Sequence, residues 1–358
     1  MRHLYCIIIL ILYSVTLSSQ ERITLLFVGD IMQHDTQIEA AKTSNGYDYS
    51  DCFKHLKNEI SKADIAIGNL EVTLGGKPYR GYPSFSAPDE FLQAIKDAGF
   101  DILLTANNHC LDKGKQGLER TISMLDSLQI PYLGTYRHEK ERTQRYPLLI
   151  EKNNIRIAFL AYTYDTNGTS SPAPHMVNYI DTLQIKKDIL AARRMKPDVI
   201  IACMHWGLEY HTLPNPSQKD LANWMIKQGV DHIIGSHPHV PQPIEIKKDE
   251  HTPAKHLIAY SLGNFISNMS RENADGGVMI NLQLKKQSGI TRMDSCSYSL
   301  IWTSRPILSK KKNFELYPAS HLSKPIQDEE LKSFYNFITN IRTLFKKHNI
   351  GIKESFFE

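Results

Sequence analysis

Five stretches of this chain end in residues able to hold a metal ion: Gly29-Asp30, Gly68-Asn69-Leu70-Glu71, Asn107-Asn108-His109, His205-Trp206-Gly207-Leu208-Glu209 and Gly235-Ser236-His237-Pro238-His239. A donor set that mixes imidazole nitrogen with carboxylate and amide oxygen suits manganese, zinc or iron better than calcium. His237 and His239 are two apart, so in an extended segment both side chains point to one side, with Pro238 stiffening the backbone between them. No single histidine carries this reading; the set of five does. Gly29, Gly68 and Gly235 would let the backbone bend sharply where each segment delivers its side chain.

A cation stands among aromatic and turn residues in Tyr79-Arg80-Gly81-Tyr82-Pro83-Ser84-Phe85. The Arg80 guanidinium could grip a carboxylate or phosphate. With Glu209 and Asn264, it makes up the candidate substrate contacts. The chain has no G-x-S-x-G elbow, Walker loop or H-E-x-x-H helix, which removes the nucleophile-elbow, P-loop and zincin chemistries.

The donors must be held by the elements that precede them. Short apolar runs at 23–28, 65–67, 102–104, 199–204, 233–234 and 257–260 read as buried strands. Leu118, Ile122 and Leu125 have helical spacing, and a helix over 217–228 is stopped by Gly229. The alternation predicts parallel β-α-β units, in which ligands gather beyond the carboxyl ends of strands. A further strand at 156–162 leads into a polar loop, 164–174, placed to act as a lid. Residues 269–358 read as a C-terminal extension whose strands complete the sheet and which ends in a helix, 329–347.

The bulk properties set bounds on partners and compartment. The 358 residues are 41% hydrophobic and 22% charged with a net charge of +4, ample for a large α/β domain and without a basic block to track nucleic acid. Met1-Arg2-His3, an apolar run over 4–17 and Ser18-Ser19-Gln20 have the layout of a signal peptide, 1–19, cleaved near Ser19. The run is short for a bilayer span, so export to the periplasm or cell envelope is the expectation, with a retained inner-membrane anchor as the alternative. Cys52, Cys110, Cys203 and Cys296 remain, and buried, unpaired thiols are the expected state.

Taken together, Val28-Gly29-Asp30, Gly68-Asn69-Leu70-Glu71, Phe85 to Pro88, Ala106-Asn107-Asn108-His109 with Asp112, His205-Trp206-Gly207 with Glu209, Gly235 to His239 and Ser261 to Phe265 resemble the CapA family of poly-gamma-glutamate capsule biosynthesis proteins. The likeness spans about Ile23 to Asn268, a domain over 22–268. The family is similar in architecture to calcineurin-like metallophosphatases. The resemblance therefore implies an α/β fold in which a metallophosphatase-like β-sandwich is flanked by helices. It also implies one or two divalent transition ions held by Asp30, Asn69, Glu71, Asn107, His205, His237 and His239, with His109 as proton donor to a leaving group. Two positions depart from the metallophosphatase pattern: Met32 stands where a histidine is expected, and Asn69 stands at the bridging aspartate, with Glu71 the nearest carboxylate.

On this resemblance the expected function is a metal-dependent hydrolase or transferase acting on an envelope polymer or a phosphoester, alongside membrane-bound capsule synthesis proteins. The competing expectation is a noncatalytic polymer-binding or assembly component that keeps the fold.

Overall fold

The first strand, Glu21–Ile31, builds two cores from one run of residues. Leu25 and Phe27 are buried in one hydrophobic cluster, Leu26 and Val28 in the other, as the two-residue side-chain period of a strand requires when both faces are covered. The computed structural model describes residues 21–249, 252–320 and 328–357; the expected signal peptide, 1–19, lies outside them.

That strand sits inside a nine-stranded sheet whose main path runs Glu315–Pro318, Ile290–Ser304, Gly276–Gln287, Glu21–Ile31, Ile65–Leu70, Ile102–Leu104, Tyr132–Leu133. A six-stranded sheet runs Ile244–Lys248, Lys255–Ala259, His232–Ser236, Val199–His205, Ile155–Thr163, Leu148–Lys152. Leu25, Phe27, Ile65 and Ile67 of the first sheet share one apolar cluster with Ile157, Phe159 and Ile201 of the second, so the two sheets form a sandwich. Helices Asp89–Ala98 and Gly114–Ser127 cover the outer face of the first sheet with Phe91, Ile95, Leu118 and Ile122. Thr182–Arg194 and Pro216–Lys227 contribute Ile185, Ile189, Ala222 and Met225 to the cluster of the second sheet. The last of these helices begins where its sequence says it should: Asn215 accepts a hydrogen bond from the Gln218 amide at 2.8 Å and Pro216 opens the first turn.

The pairing that matters for function is parallel. Glu21–Ile31 pairs in parallel with Ile65–Leu70, and Val199–His205 pairs in parallel with both Ile155–Thr163 and His232–Ser236. Asp30 is in register with Asn69, and His205 with Ser236. The carboxyl ends of both sheets thus deliver polar residues to one edge of the sandwich.

The strands after residue 268 lengthen the first sheet. Gly276–Gln287 runs antiparallel to Glu21–Ile31, and Ile290–Ser304 pairs with it in turn. The terminal helix, Asp328–His348, packs Phe334 on Trp302 and Phe345 on Tyr298, with ring centroids 5.7 and 5.0 Å apart. Cys52, Cys110, Cys203 and Cys296 are all unpaired. No helix among the described residues is long and apolar enough to cross a membrane.

Candidate metal centre

Two glycines set how closely the strands meet. A Cβ on Gly29 would lie 1.9 Å from the Gly263 carbonyl oxygen, and one on Gly235 would lie 1.9 Å from that of Tyr260. The sequence reading gave these glycines a sharp bend. The structure gives them close backbone approach instead, and the Asp30 amide hydrogen-bonds the same Gly263 carbonyl at 3.0 Å. A methyl group at position 29 would push Asp30 away from the strand that carries Asn264.

Glu71 lies at the middle of the donors. Its Oε1 is 3.6 Å from His205 Nε2 and 3.7 Å from His239 Nε2. Glu71, His205 and His237 form one group with donor atoms within 4.8 Å of one another, and Asp30, Glu71 and His239 form a second. All five side chains are buried. Both groups share Glu71, which therefore stands where a bridging carboxylate would.

His237 and His239 converge, but not by strand alternation. Their φ angles are +97° and +59°, a left-handed backbone that is uncommon for residues other than glycine and that collects at functional sites. The turn bends both rings inward, 5.9 Å apart, and brings His237 to 4.8 Å from the His205 ring. The segment is held from outside by the Tyr210 amide, which donates to the Pro238 carbonyl at 2.8 Å.

The asparagines divide differently from expectation. Asn69 donates to Asp30 Oδ1 at 2.8 Å and accepts from the Asn107 amide nitrogen at 3.2 Å. Asn107 also donates to the Leu70 carbonyl at 2.8 Å and accepts from the His109 backbone at 3.2 Å. Asn107 is thus committed to the frame, whereas the neighbouring Asn108 places its Oδ1 2.8 Å from His205 Nε2. Asn108 is the residue of this stretch that faces the donors. The signal for it in the sequence is that it directly precedes His109. Asn264, expected to touch substrate, is fully buried behind His239, its Oδ1 3.0 Å from that ring's Nδ1. Asp30 Oδ2 approaches the same Nδ1 at 3.1 Å. With Nδ1 carrying the proton for these two acceptors, Nε2 keeps its lone pair on the side of Glu71.

His109 stands outside the donor groups. Its Nδ1 lies 2.8 Å from Asp112 Oδ2, and its ring meets Phe85 edge-on at 4.6 Å. Asp112 is itself fixed by the Phe85 amide at 2.7 Å. The loop expected over 164–174 reaches this side: Asn167 lies 3.4 Å from His109 Nδ1 and 3.2 Å from Asn108 Nδ2. Tyr164 lays its ring 4.4 Å from that of His237. Asp112 belongs to the motif that carries the family resemblance, though with no role attached, whereas nothing in the spacing of Asn167 and Tyr164 distinguishes them from turn residues.

Arg80 is exposed, and its backbone pairs with Ser86 at 3.0 and 2.8 Å; it does not join the buried donors. Glu209 is exposed and within reach of His237 and His239. Met32 is fully buried in the second apolar cluster, and the next histidine, His34, is tied by Nδ1 to Gln37 at 3.2 Å and to the Asn268 amide at 3.3 Å.

The electrostatics fit a divalent cation. Burial, then the proximity of Asp30, pushes the Glu71 carboxyl well above its usual range. Burial also raises Asp30, but hydrogen bonding and charge from His239 outweigh it and leave that carboxyl lowered. Burial lowers His205 far below an ordinary histidine and His237 to about 3, with the neighbouring imidazoles adding to both. Neutral imidazole is the form that ligates a metal. Both Glu71 carboxylate oxygens and His237 Nδ1 are buried with no hydrogen-bond partner, and buried polar atoms normally have one. A cation among them would satisfy all three.

The chain has relatives among known proteins. The chain is 28% identical over 279 residues to the capsule biosynthesis protein CapA of Bacillus anthracis, covering 74% of this chain and 64% of that protein. It is 28% identical over 283 residues to the PGA biosynthesis protein CapA of Bacillus subtilis (strain 168), covering 75% of this chain and 69% of that one. The chain thus spans about two thirds of these relatives' length. Among solved structures, the NAD nucleotidase NadN of Haemophilus influenzae superposes with a TM-score of 0.50 at 12% identity, over 93% of this chain and 64% of that one. The metallophosphatase-like sandwich expected from the sequence is the fold of this chain. The model of the bacterial capsule synthesis protein family PGA_cap matches residues 24–269, well over half of the sequence, and the chain belongs to that family.

Proposed function

We propose that this protein is an exported, metal-dependent hydrolase or transferase of metallophosphatase type that works on an envelope polymer related to poly-gamma-glutamate, or on a phosphoester used in making it. The observation that carries the reading is Glu71: a carboxylate fully buried between two imidazoles, with neither oxygen hydrogen-bonded. A site retained only for packing would have no reason to keep an acid there, since a buried polar group without a hydrogen-bond partner costs about 1–3 kcal/mol.

Glu71, His205 and His237 would hold one ion, and Asp30, Glu71 and His239 a second, with Asn108 beside His205. A divalent ion in this setting would polarise a phosphoryl or acyl oxygen and acidify a water molecule. The protein's own groups do the rest. Asp112 fixes the His109 ring through Nδ1, leaving Nε2 to deliver a proton to the departing oxygen or nitrogen. Asn264 and Asp30 hold His239 in one orientation. Tyr164 covers His237 and limits water on that side.

Met32 and Asn69, which replace a histidine and a carboxylate of the metallophosphatase pattern, favour a second reading, a polymer-binding component that retains the fold. Manganese-loaded protein offered p-nitrophenyl phosphate, bis-(p-nitrophenyl) phosphate and gamma-glutamyl peptides separates the two. Turnover that a chelator abolishes supports the enzyme. Absence of turnover on all three, with retention of poly-gamma-glutamate on the immobilised protein, supports the binding component.

A further inference from the structure

Glu209 is the exposed member of the metal-capable groups. Its carboxylate and the donor nitrogens of His237 and His239 lie within 4.8 Å of one another, and His237, 2% exposed, leaves Nδ1 buried without a partner. The turn that presents Glu209 is built for one position. Gly207 has φ +93° and Tyr210 has φ +64°. A Cβ on Gly207 would lie 2.8 Å from the Gln218 carboxamide. The Tyr210 amide ties the turn to Pro238, between the two histidines.

The sequence placed Glu209 among the substrate contacts. A carboxylate facing an anionic polymer or phosphoester would repel it, whereas a carboxylate beside two imidazoles completes a cation site. We infer that Glu209 is a metal ligand, the exposed and displaceable one, on the side of the site where His237 and His239 stand, and that it would yield its place to an anionic oxygen of the substrate. This inference rests on the proposal that ions bind around Glu71. It gives the exposed turn a task distinct from the buried frame: Glu71 would hold the ions in place, and Glu209 would control access to one of them.

The test is Mn²⁺ binding by the purified full chain, measured by titration calorimetry, for wild type, Glu71→Gln, Glu209→Gln and the double variant Glu209→Gln, Arg271→Gln. Glu209 is on the surface, so its variant should fold; circular dichroism checks this. Loss of a direct ligand should weaken Mn²⁺ binding about tenfold or more, since even outer partners of metal ligands typically cost that much. Arg271 lies 4.1 Å over the Tyr210 ring, so the double variant restores the local net charge without restoring a ligand. Binding in the double variant should stay as weak as in Glu209→Gln. Recovery to wild-type affinity would mean that Glu209 acts only through its field, and would overturn the assignment. Unchanged affinity in Glu209→Gln, with binding lost in Glu71→Gln, would also overturn it while leaving the proposed function standing. A wild type that binds no Mn²⁺ would overturn both.

Discussion

Oε1 of Glu71 stands 3.6 Å from Nε2 of His205, and neither oxygen of that carboxylate has a hydrogen-bond partner. Two donor groups meet at this side chain. The metallophosphatase pattern would put its bridging carboxylate at position 69. Here Asn69 supports Asp30 and Asn107 through its amide, and the carboxylate comes from two residues further along, where the strand Ile65–Leu70 has ended. On the proposed reading, the departure at position 69 would move the bridge without abolishing it.

His109 is expected to act on the leaving group without holding an ion. His109→Ala should reduce kcat by about 10²–10⁴-fold, the range for a positioned general acid, and leave metal content unchanged. Asp112→Asn should lower kcat less, since an amide oxygen can still accept from Nδ1 and hold the ring. Steady-state kinetics on a turned-over phosphoester, beside elemental analysis, measures both. Loss of metal from His109→Ala would make it a ligand.

Asn264 acts through His239. Asn264→Ala leaves Nδ1 of that ring with Asp30 alone, so metal affinity should fall about 10- to 100-fold, as for other partners that orient ligating histidines. Titration with Mn²⁺ reads the loss. An unchanged Kd would place Asn264 in packing only.

Far from the site, Glu315 anchors the edge strand. Its side chain, 6% exposed, lies 2.7 Å from Lys54 Nζ, 2.9 Å from Lys311 Nζ and 3.1 Å from His55 Nε2, and it accepts from the Tyr317 hydroxyl. Burial alone would raise this carboxyl, but hydrogen bonds from His55, Lys54, Tyr317 and Lys311 outweigh it and hold the group far below its usual range. The folded state thus binds this proton less readily than the unfolded chain. The stabilisation is fully present above the unfolded carboxyl pKa, about 4.3, and is lost as pH falls towards the folded value. Glu315→Gln should destabilise the protein by about 2 kcal/mol at pH 7, and the gap to wild type should narrow by pH 3. Urea unfolding at both pH values tests it. A gap that widens on acidification would contradict the sign.

Much of this was legible in the sequence, for physical reasons that can be named. Apolar runs that stop at Asp30, Asn69 and His205 mark strands buried on both faces, and the helices between them impose parallel pairing, which gathers the strand ends. What the sequence did not reveal depends on contacts between distant segments. Asn107 and Asn108 are the same residue type, and only the Leu70 carbonyl, taken up by Asn107, decides which of them faces His205. His237 and His239 read as extended, yet a left-handed turn brings them together. Asn264 gave no sign that its carboxamide would be consumed by His239. Gly29 and Gly235 were visible as special positions, but the carbonyls that crowd them belong to residues 263 and 260, far along the chain.

Glu71 is proposed to be held as a buried acid for a metal. Elemental mass spectrometry on purified wild type, on Glu71→Gln and on the double variant His237→Ala, His239→Ala tests it most directly, with circular dichroism to verify folding. Stoichiometric manganese, zinc or iron is expected in the wild type, with background levels in both folded variants. Equal trace metal in all three proteins would contradict it and leave Glu71 as a buried acid with no ion to hold.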